Sequence, residues 1–177
     1  MPDYRRAFCP GGTFFFTVNL LQRRGSDLLV RHVDHLRDVV REVRHAHPFH
    51  IHGWVVLPEH LHAVIELPEG DADFSRRWRL IKSGFSKRLP ADECLSRVRR
   101  ARGERGIWQR RFWEHLVRDE ADFVAHMDYL HFNPVKHGHV SRVADWPYST
   151  FHRMVEAGMY SRDWAGSEGA DGIVVPD

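Results

Sequence analysis

The chain has 177 residues, 42% of them hydrophobic and 12% aromatic, with a formal net charge of +2 at pH 7. That length suits one compact domain with a substantial core, and the composition excludes a disordered polypeptide. No apolar run is long enough to cross a bilayer and no hydrophobic leader is expected after Met1. The two isolated cysteines, Cys9 and Cys94, argue against a disulfide scaffold or a zinc ribbon and fit a reducing cytosol.

In chain order, residues 13–22 are rich in Phe, Val, Leu and Thr and predict a core strand, with a turn near Ser26 or Asp27. Val33, Leu36, Val39, Val40 and Val43 recur at helical spacing, so a helix is expected over residues 33–46, ended by Pro48. Strands follow at 50–57 and 60–67, broken at Pro58 and closed by Pro68-Glu69-Gly70. A basic helix is expected over 74–89, stopped by Pro90, then a polar, Arg-rich connection over 91–106. A fourth strand is expected over 107–117. Asp119 or its neighbour caps a helix through Phe123, Met127 and Leu130, which Pro134 should end near Asn133. Trp146-Pro147-Tyr148-Ser149 opens a short last helix with Phe151, Met154 and Val155 on one face. The order β-α-β-β-α-β predicts an α+β fold: a ferredoxin-like split β-α-β antiparallel sheet with helices on one face and an extra C-terminal helix. Residues 1–160 are expected to form the domain, and residues 161–177 an acidic, loosely held tail.

Charge is unevenly placed. Between Arg76 and Arg111 stand thirteen Lys and Arg against three acids, whereas from Asp163 to Asp177 there are four acids and no base. A concentrated basic segment is the footprint of a polyanion site, although a solvated helix face gives the same count. Arg76, Arg77, Arg79, Lys82, Lys87 and Arg88 are candidate phosphate contacts. Trp108, Arg110, Arg111 and Trp113 interleave bases with aromatics, as stacking plus charge on unpaired nucleotides requires. Arg5 and Arg6 are candidates for a basic arm. The acidic tail is expected to fold over the basic site and limit access to it.

Two groups carry chemistry. In Leu57-Pro58-Glu59-His60-Leu61-His62, the two histidines share one face of a strand, with Cα atoms roughly 7 Å apart, and two imidazoles so placed can share a divalent cation. Fourteen histidines in the chain make one such pair unremarkable by itself. Downstream, Tyr129 and Asn133 stand four apart in Tyr129-Leu130-His131-Phe132-Asn133-Pro134-Val135-Lys136-His137-Gly138, hence on one helical face. A tyrosine serves as a nucleophile when presented to an activated centre, and an amide oxygen from Asn133 could complete a metal site; a core aromatic and a helix C-cap are the plainer alternatives.

Together with Ile107-Trp108-Gln109-Arg110-Arg111-Phe112-Trp113-Glu114-His115 and Asp145-Trp146-Pro147-Tyr148-Ser149-Thr150-Phe151, these blocks resemble the REP-associated tyrosine transposases of the HUH endonuclease superfamily, over residues 4–166. The resemblance implies that His60 and His62 hold Mg²⁺ or Mn²⁺; the third ligand, Asn133 or another group, stays open. It implies that Tyr129 attacks a phosphate of single-stranded DNA to give a 5′-phosphotyrosine link and a free 3′-OH. It implies a substrate of palindromic repeat hairpins beside a recognition tetranucleotide, with Lys136 among the DNA contacts. A monomer using its own tyrosine is implied, a dimer being the alternative, in a cytoplasmic, nucleoid-associated setting with no membrane. Two other functions stay open: a hairpin-binding protein that does not cut, and a metallohydrolase using activated water.

Overall fold

The computed structural model describes residues 7–91, 97–167 and 173. Four antiparallel strands, β1 (Thr13–Asn19), β2 (His50–Val56), β3 (His60–Glu66) and β4 (Trp113–Leu116), form one sheet in the order β2-β3-β1-β4. This is the split β-α-β arrangement expected from the element order.

Three consecutive phenylalanines in β1, Phe14, Phe15 and Phe16, are all fully buried. Because strand side chains alternate, that is possible only if both faces of the sheet are covered. Phe14 and Phe16 face the crossover helices α2 (Val33–Ala46) and α3 (Phe74–Arg88), among Leu36, Val39, Trp78 and Phe85. Phe15 faces the opposite side, among Val55, Leu57, Val64, Met127, Tyr129 and Leu130. The crossover helices thus share one face, and the later helix α5 (Glu120–Lys136) covers the other. Each Phe burial is worth about 2–3 kcal/mol, so both layers are held by β1. Gly53 lies at a register shift in β2, and a Cβ there would stand 2.7 Å from Met127 Sδ. Its missing side chain is what lets α5 approach the sheet.

Asp73 and Asp119 cap α3 and α5, each accepting from the backbone N–H three residues on. Such caps contribute about 1 kcal/mol each. Short helices α1 (Leu28–Arg31), α4 (Arg97–Ala101) and α6 (Phe151–Glu156) complete the fold. Phe151 and Met154 are buried in α6, as their spacing predicted.

Three expectations change. Pro134 does not end its helix: α5 runs on to Lys136 and stops where His137, Gly138 and His139 donate N–H to the carbonyls of Asn133, Val135 and Pro134. Gly138, at φ 71°, is the stop signal, because that left-handed position suits glycine. The fourth strand is shorter than 107–117. Over 107–110 the chain instead bonds the end of β1, through Leu21 N–H to Ile107 O and Gln109 N–H to Asn19 O, leaving Arg110 and Arg111 in solvent. The tail as far as Ser167 is packed rather than loose: the Tyr160 and Ser167 hydroxyls donate to the two oxygens of buried Asp128, at 2.6 and 2.5 Å, and Trp164 meets Phe132 and Phe151. That packing lies on α5 and α6, not over the basic segment; apart from Ile173, the rest of the tail lies outside the described residues.

Candidate active site

The α5 side of the sheet brings the sequence candidates together. His60 and His62 alternate with Leu61 on β3, and the two rings lie 4.9 Å apart by their centroids. Across the ladder, Asn19 pairs with His60 and Thr17 with His62, so these side chains share the histidine face. From the other layer α5 lays Tyr129 against His62, ring centroids 5.4 Å apart at 73°. Asn133, one turn later and still in regular helix, is fully buried beside them. Phe15 floors the cluster, 5.4 Å from the His62 ring and 5.9 Å from that of Tyr129.

Each histidine is held from behind. Thr17 Oγ1 lies 2.9 Å from His62 Nδ1, and Glu59 Oε1 lies 3.0 Å from His60 Nδ1. These bonds fix ring orientation and leave Nε2 of each ring for another partner. Burial above all, then the charges of His60 and His137, holds the His62 imidazole well below its ordinary range, so it is neutral and its lone pair is available. The Asn133 amide is near enough to act on His62 but completes no hydrogen bond: His62 Nε2 and both amide atoms of Asn133 are buried without hydrogen-bond partners. Such atoms cost about 1–3 kcal/mol each when left unsatisfied. Two imidazole nitrogens and an amide oxygen are the donor set of a divalent cation such as Mn²⁺ or Mg²⁺, so these residues fit the metal that the sequence implies.

Four residues beside the pair were not singled out by sequence. Thr17 and Asn19 flank Val18 as His60 and His62 flank Leu61, so the same polar-apolar-polar signal marks them. Asn19 Oδ1 is also buried without a hydrogen bond. Glu59 holds His60, and the His137 ring stands 5.1 Å from that of His60.

The candidate DNA contacts divide. Lys136 is exposed, with its Nζ 4.7 Å from the centroid of the Tyr129 ring. Arg76, Arg110 and Arg111 are exposed. Lys82 and Trp108 line a groove of about 1240 Å³ with Arg79, Lys87, Arg99 and Arg102, on the α3 side. Both have structural duties as well: Lys82 Nζ donates to Gln109 O and Arg110 O, and Trp108 Nε1 donates to Lys82 O. Gln109 in the groove wall bonds Asn19, the cross-strand partner of His60, so groove and site adjoin at this end of the sheet. Arg77 is a correction. It is 3% exposed, and its guanidinium is spent on the carbonyls of His47, Pro48 and Asp73 and on the Asp71 carboxylate. It faces inward from α3 because Trp78 and Ile81 set that helix's buried side, and with four of its five N–H donors so engaged and the group buried it is out of reach of a phosphate. Arg5 and Arg6 lie outside the described residues. No helix among the described residues is long and apolar enough to cross a membrane.

No family profile matches the chain. It is 51% identical over 166 residues to the REP-associated tyrosine transposase of Escherichia coli K12, covering 94% of this chain and 92% of that one. It is 43% identical over 169 residues to a Haemophilus influenzae protein described in the same terms, covering 94% and 95%. A solved structure of a REP-associated tyrosine transposase bound to a REP hairpin superposes with a TM-score of 0.81 at 50% identity, covering 94% of this chain and 93% of the other.

Proposed function

Because the chain belongs to the REP-associated tyrosine transposases, a family of DNA nicking and joining enzymes, we propose that it binds palindromic repeat hairpins and cleaves an adjoining single strand with Tyr129 as nucleophile. The observation that carries this is the 5.4 Å approach of the Tyr129 ring to His62, whose Nε2 is buried and unbonded, within one chain. The nucleophile and the histidine pair need no exchange of helices between subunits, which supports a monomeric active unit.

Tyr129 Oη gives up its phenol proton to solvent and bonds to phosphorus as the P–O3′ bond breaks; the departing oxygen takes up a proton in turn and leaves a free 3′-OH. The reverse attack by a 3′-OH rejoins strands, and the phosphotyrosine conserves the bond energy, so no nucleotide cofactor is needed. Phe15 and Met127 pack in one buried cluster with Tyr129 and hold the tyrosine helix against the sheet. His60, His62 and Asn133 would hold Mg²⁺ or Mn²⁺, which supplies Lewis-acid polarisation of a phosphate oxygen there. The exposed Arg76, Arg110 and Arg111 and the groove on the α3 side give the hairpin backbone its counter-charge, and Lys136 serves the strand at the tyrosine.

The test is incubation of the protein with Mn²⁺ and end-labelled hairpin oligonucleotides. A covalent adduct that Tyr129→Phe abolishes, with hairpin binding retained, is the expected result. Cleavage without an adduct would instead assign activated water, and binding without cleavage a recognition protein.

A further inference from the structure

Among the described residues, one group of three side chains offers metal-ligand atoms within 4.8 Å of one another: His115, Asp122 and His126. It is not the His60–His62 pair. His115 comes from β4, and Asp122 and His126 from the first two turns of α5. We propose that these three residues form a second, structural cation site, for a Zn²⁺-class transition ion, which staples the start of the tyrosine helix to the sheet edge.

Asp122 lies between the imidazoles. Its Oδ2 is 2.8 Å from His115 Nε2 and its Oδ1 is 3.0 Å from His126 Nδ1. In tetrahedral zinc, bonds of about 2.0–2.1 Å hold ligand atoms a little over 3 Å apart. The His115 and His126 rings stack with centroids 4.4 Å apart at 17°, so a place for the ion opens when the rings turn until their in-plane lone pairs converge beside Asp122. Two imidazoles and one carboxylate are a common donor set for Zn²⁺, Co²⁺ and Mn²⁺. Each imidazole becomes a ligand by carrying its proton on its other ring nitrogen, which frees His126 Nδ1 from the Asp122 carbonyl at 2.8 Å. The Asp122 and His126 side chains are only 8% and 6% exposed, whereas that of His115 is 25% exposed and gives an ion its way in. Arg118 Nε also touches Asp122 Oδ2, at 3.1 Å, but its side chain is 72% exposed and free to swing from an arriving cation, while its backbone N–H keeps the carboxylate oriented.

The place of the group gives the ion its consequence. The His126 ring lies 4.9 Å from that of Phe15, and Phe15 in turn contacts both His62 and Tyr129. His126 also precedes Tyr129 by about one helical turn. Cross-linking β4 to α5 there fixes the helix that carries the nucleophile without touching DNA.

The test removes the first site. His60→Ala/His62→Ala protein, full length, is titrated with Co²⁺ while visible d–d absorption is followed, and its melting temperature is measured with and without Zn²⁺. The expected result is one bound ion per chain and a raised melting temperature, both lost when Asp122→Asn is added. His115→Gln, at the most exposed ligand, serves should the Asp122 variant fail to fold. No ion bound by the His60→Ala/His62→Ala protein would overturn the proposal, leaving the group a hydrogen-bonded clasp. An ion that survives both Asp122→Asn and His115→Gln would also overturn it. The tyrosine adduct is not part of this readout, so the two assignments stand or fall separately.

Discussion

The Lys136 ammonium lies 4.7 Å from the centre of the Tyr129 ring, two turns further along the same helix. A cation over an aromatic face favours negative charge as it develops on the phenol oxygen, and an exposed contact of this kind is worth about 1 kcal/mol. Lys136→Met should therefore slow adduct formation about five- to tenfold. Lys136→Arg should keep most of the rate, because charge and reach are retained. A single-turnover measurement at saturating hairpin separates this effect from DNA affinity; equal rates for Met and Arg variants would remove Lys136 from the chemistry.

Arg77 and Arg110 occupy one basic segment and should behave oppositely. Arg77→Met leaves the carbonyls of His47, Pro48 and Asp73 without their donor, so a stability loss of about 3 kcal/mol is expected, with hairpin affinity per folded molecule unchanged. The bond to Arg77 holds the Asp71 carboxyl below the usual range. That share of stability is fully present above the ordinary carboxylate pKa and is lost as pH falls through the lower folded value. Acid denaturation of Arg77→Met should accordingly show a smaller loss over that window. Arg110→Ala, at a side chain 74% exposed, should leave stability alone and lower the salt dependence of hairpin binding by about one unit of slope. Urea titrations and binding isotherms at several salt concentrations check both.

Element order, and with it the fold, was legible because hydrophobic period and proline breaks agree along the chain. The histidine pair was legible because strand alternation puts His60 and His62 on one face, and Tyr129 with Asn133 because helices repeat near four. What stayed hidden depends on the third dimension. Composition cannot say that Arg77 points inward, since two of the four groups that make that burial tolerable are the carbonyls of residues 47 and 48, some thirty positions away. Pro134 reads as a helix end, yet it sits so near the terminus that one lost backbone bond does not stop α5, and Gly138 does. Likewise His115, Asp122 and His126 come together only because β4 pairs with β1 beneath the start of α5.

Gly53 is the place where a small change should reach the site from outside. Its missing Cβ leaves room for Met127 Sδ, which would lie 2.7 Å away, and for Leu130 Cδ1, at 3.3 Å. Overpacking costs about 1–3 kcal/mol, and the lower end applies here because the end of a methionine can move. Met127 is two residues from Tyr129, so lifting the helix should reduce adduct formation more than hairpin binding. Gly53→Ala combined with Met127→Ala should recover part of the loss. If Gly53→Ala slows cleavage and weakens binding in equal measure, the helix has not been displaced as argued.

Thr17 makes a sharper test of how the histidine pair is held. It is 3% exposed, and its hydroxyl meets His62 Nδ1 at 2.9 Å. With Nδ1–H donating to Oγ1, the His62 lone pair lies on Nε2, the atom buried without a partner. In the opposite tautomer, with the Thr17 hydroxyl donating to Nδ1, Nε2 would carry the proton and could not bind a cation, so the bond in which Nδ1–H donates to Thr17 is the one that goes with ligation. Thr17→Val keeps the shape and removes the acceptor. Loss of such a support weakens metal affinity about 10–100-fold, so the Mn²⁺ concentration for half-maximal adduct formation should rise by that factor. Saturating Mn²⁺ should restore most of the rate, and hairpin affinity without metal should not change. Thr17→Ser should behave like the parent. A half-maximal Mn²⁺ concentration within about twofold of the parent's would mean that His62 is oriented by Phe15 packing rather than by the hydroxyl.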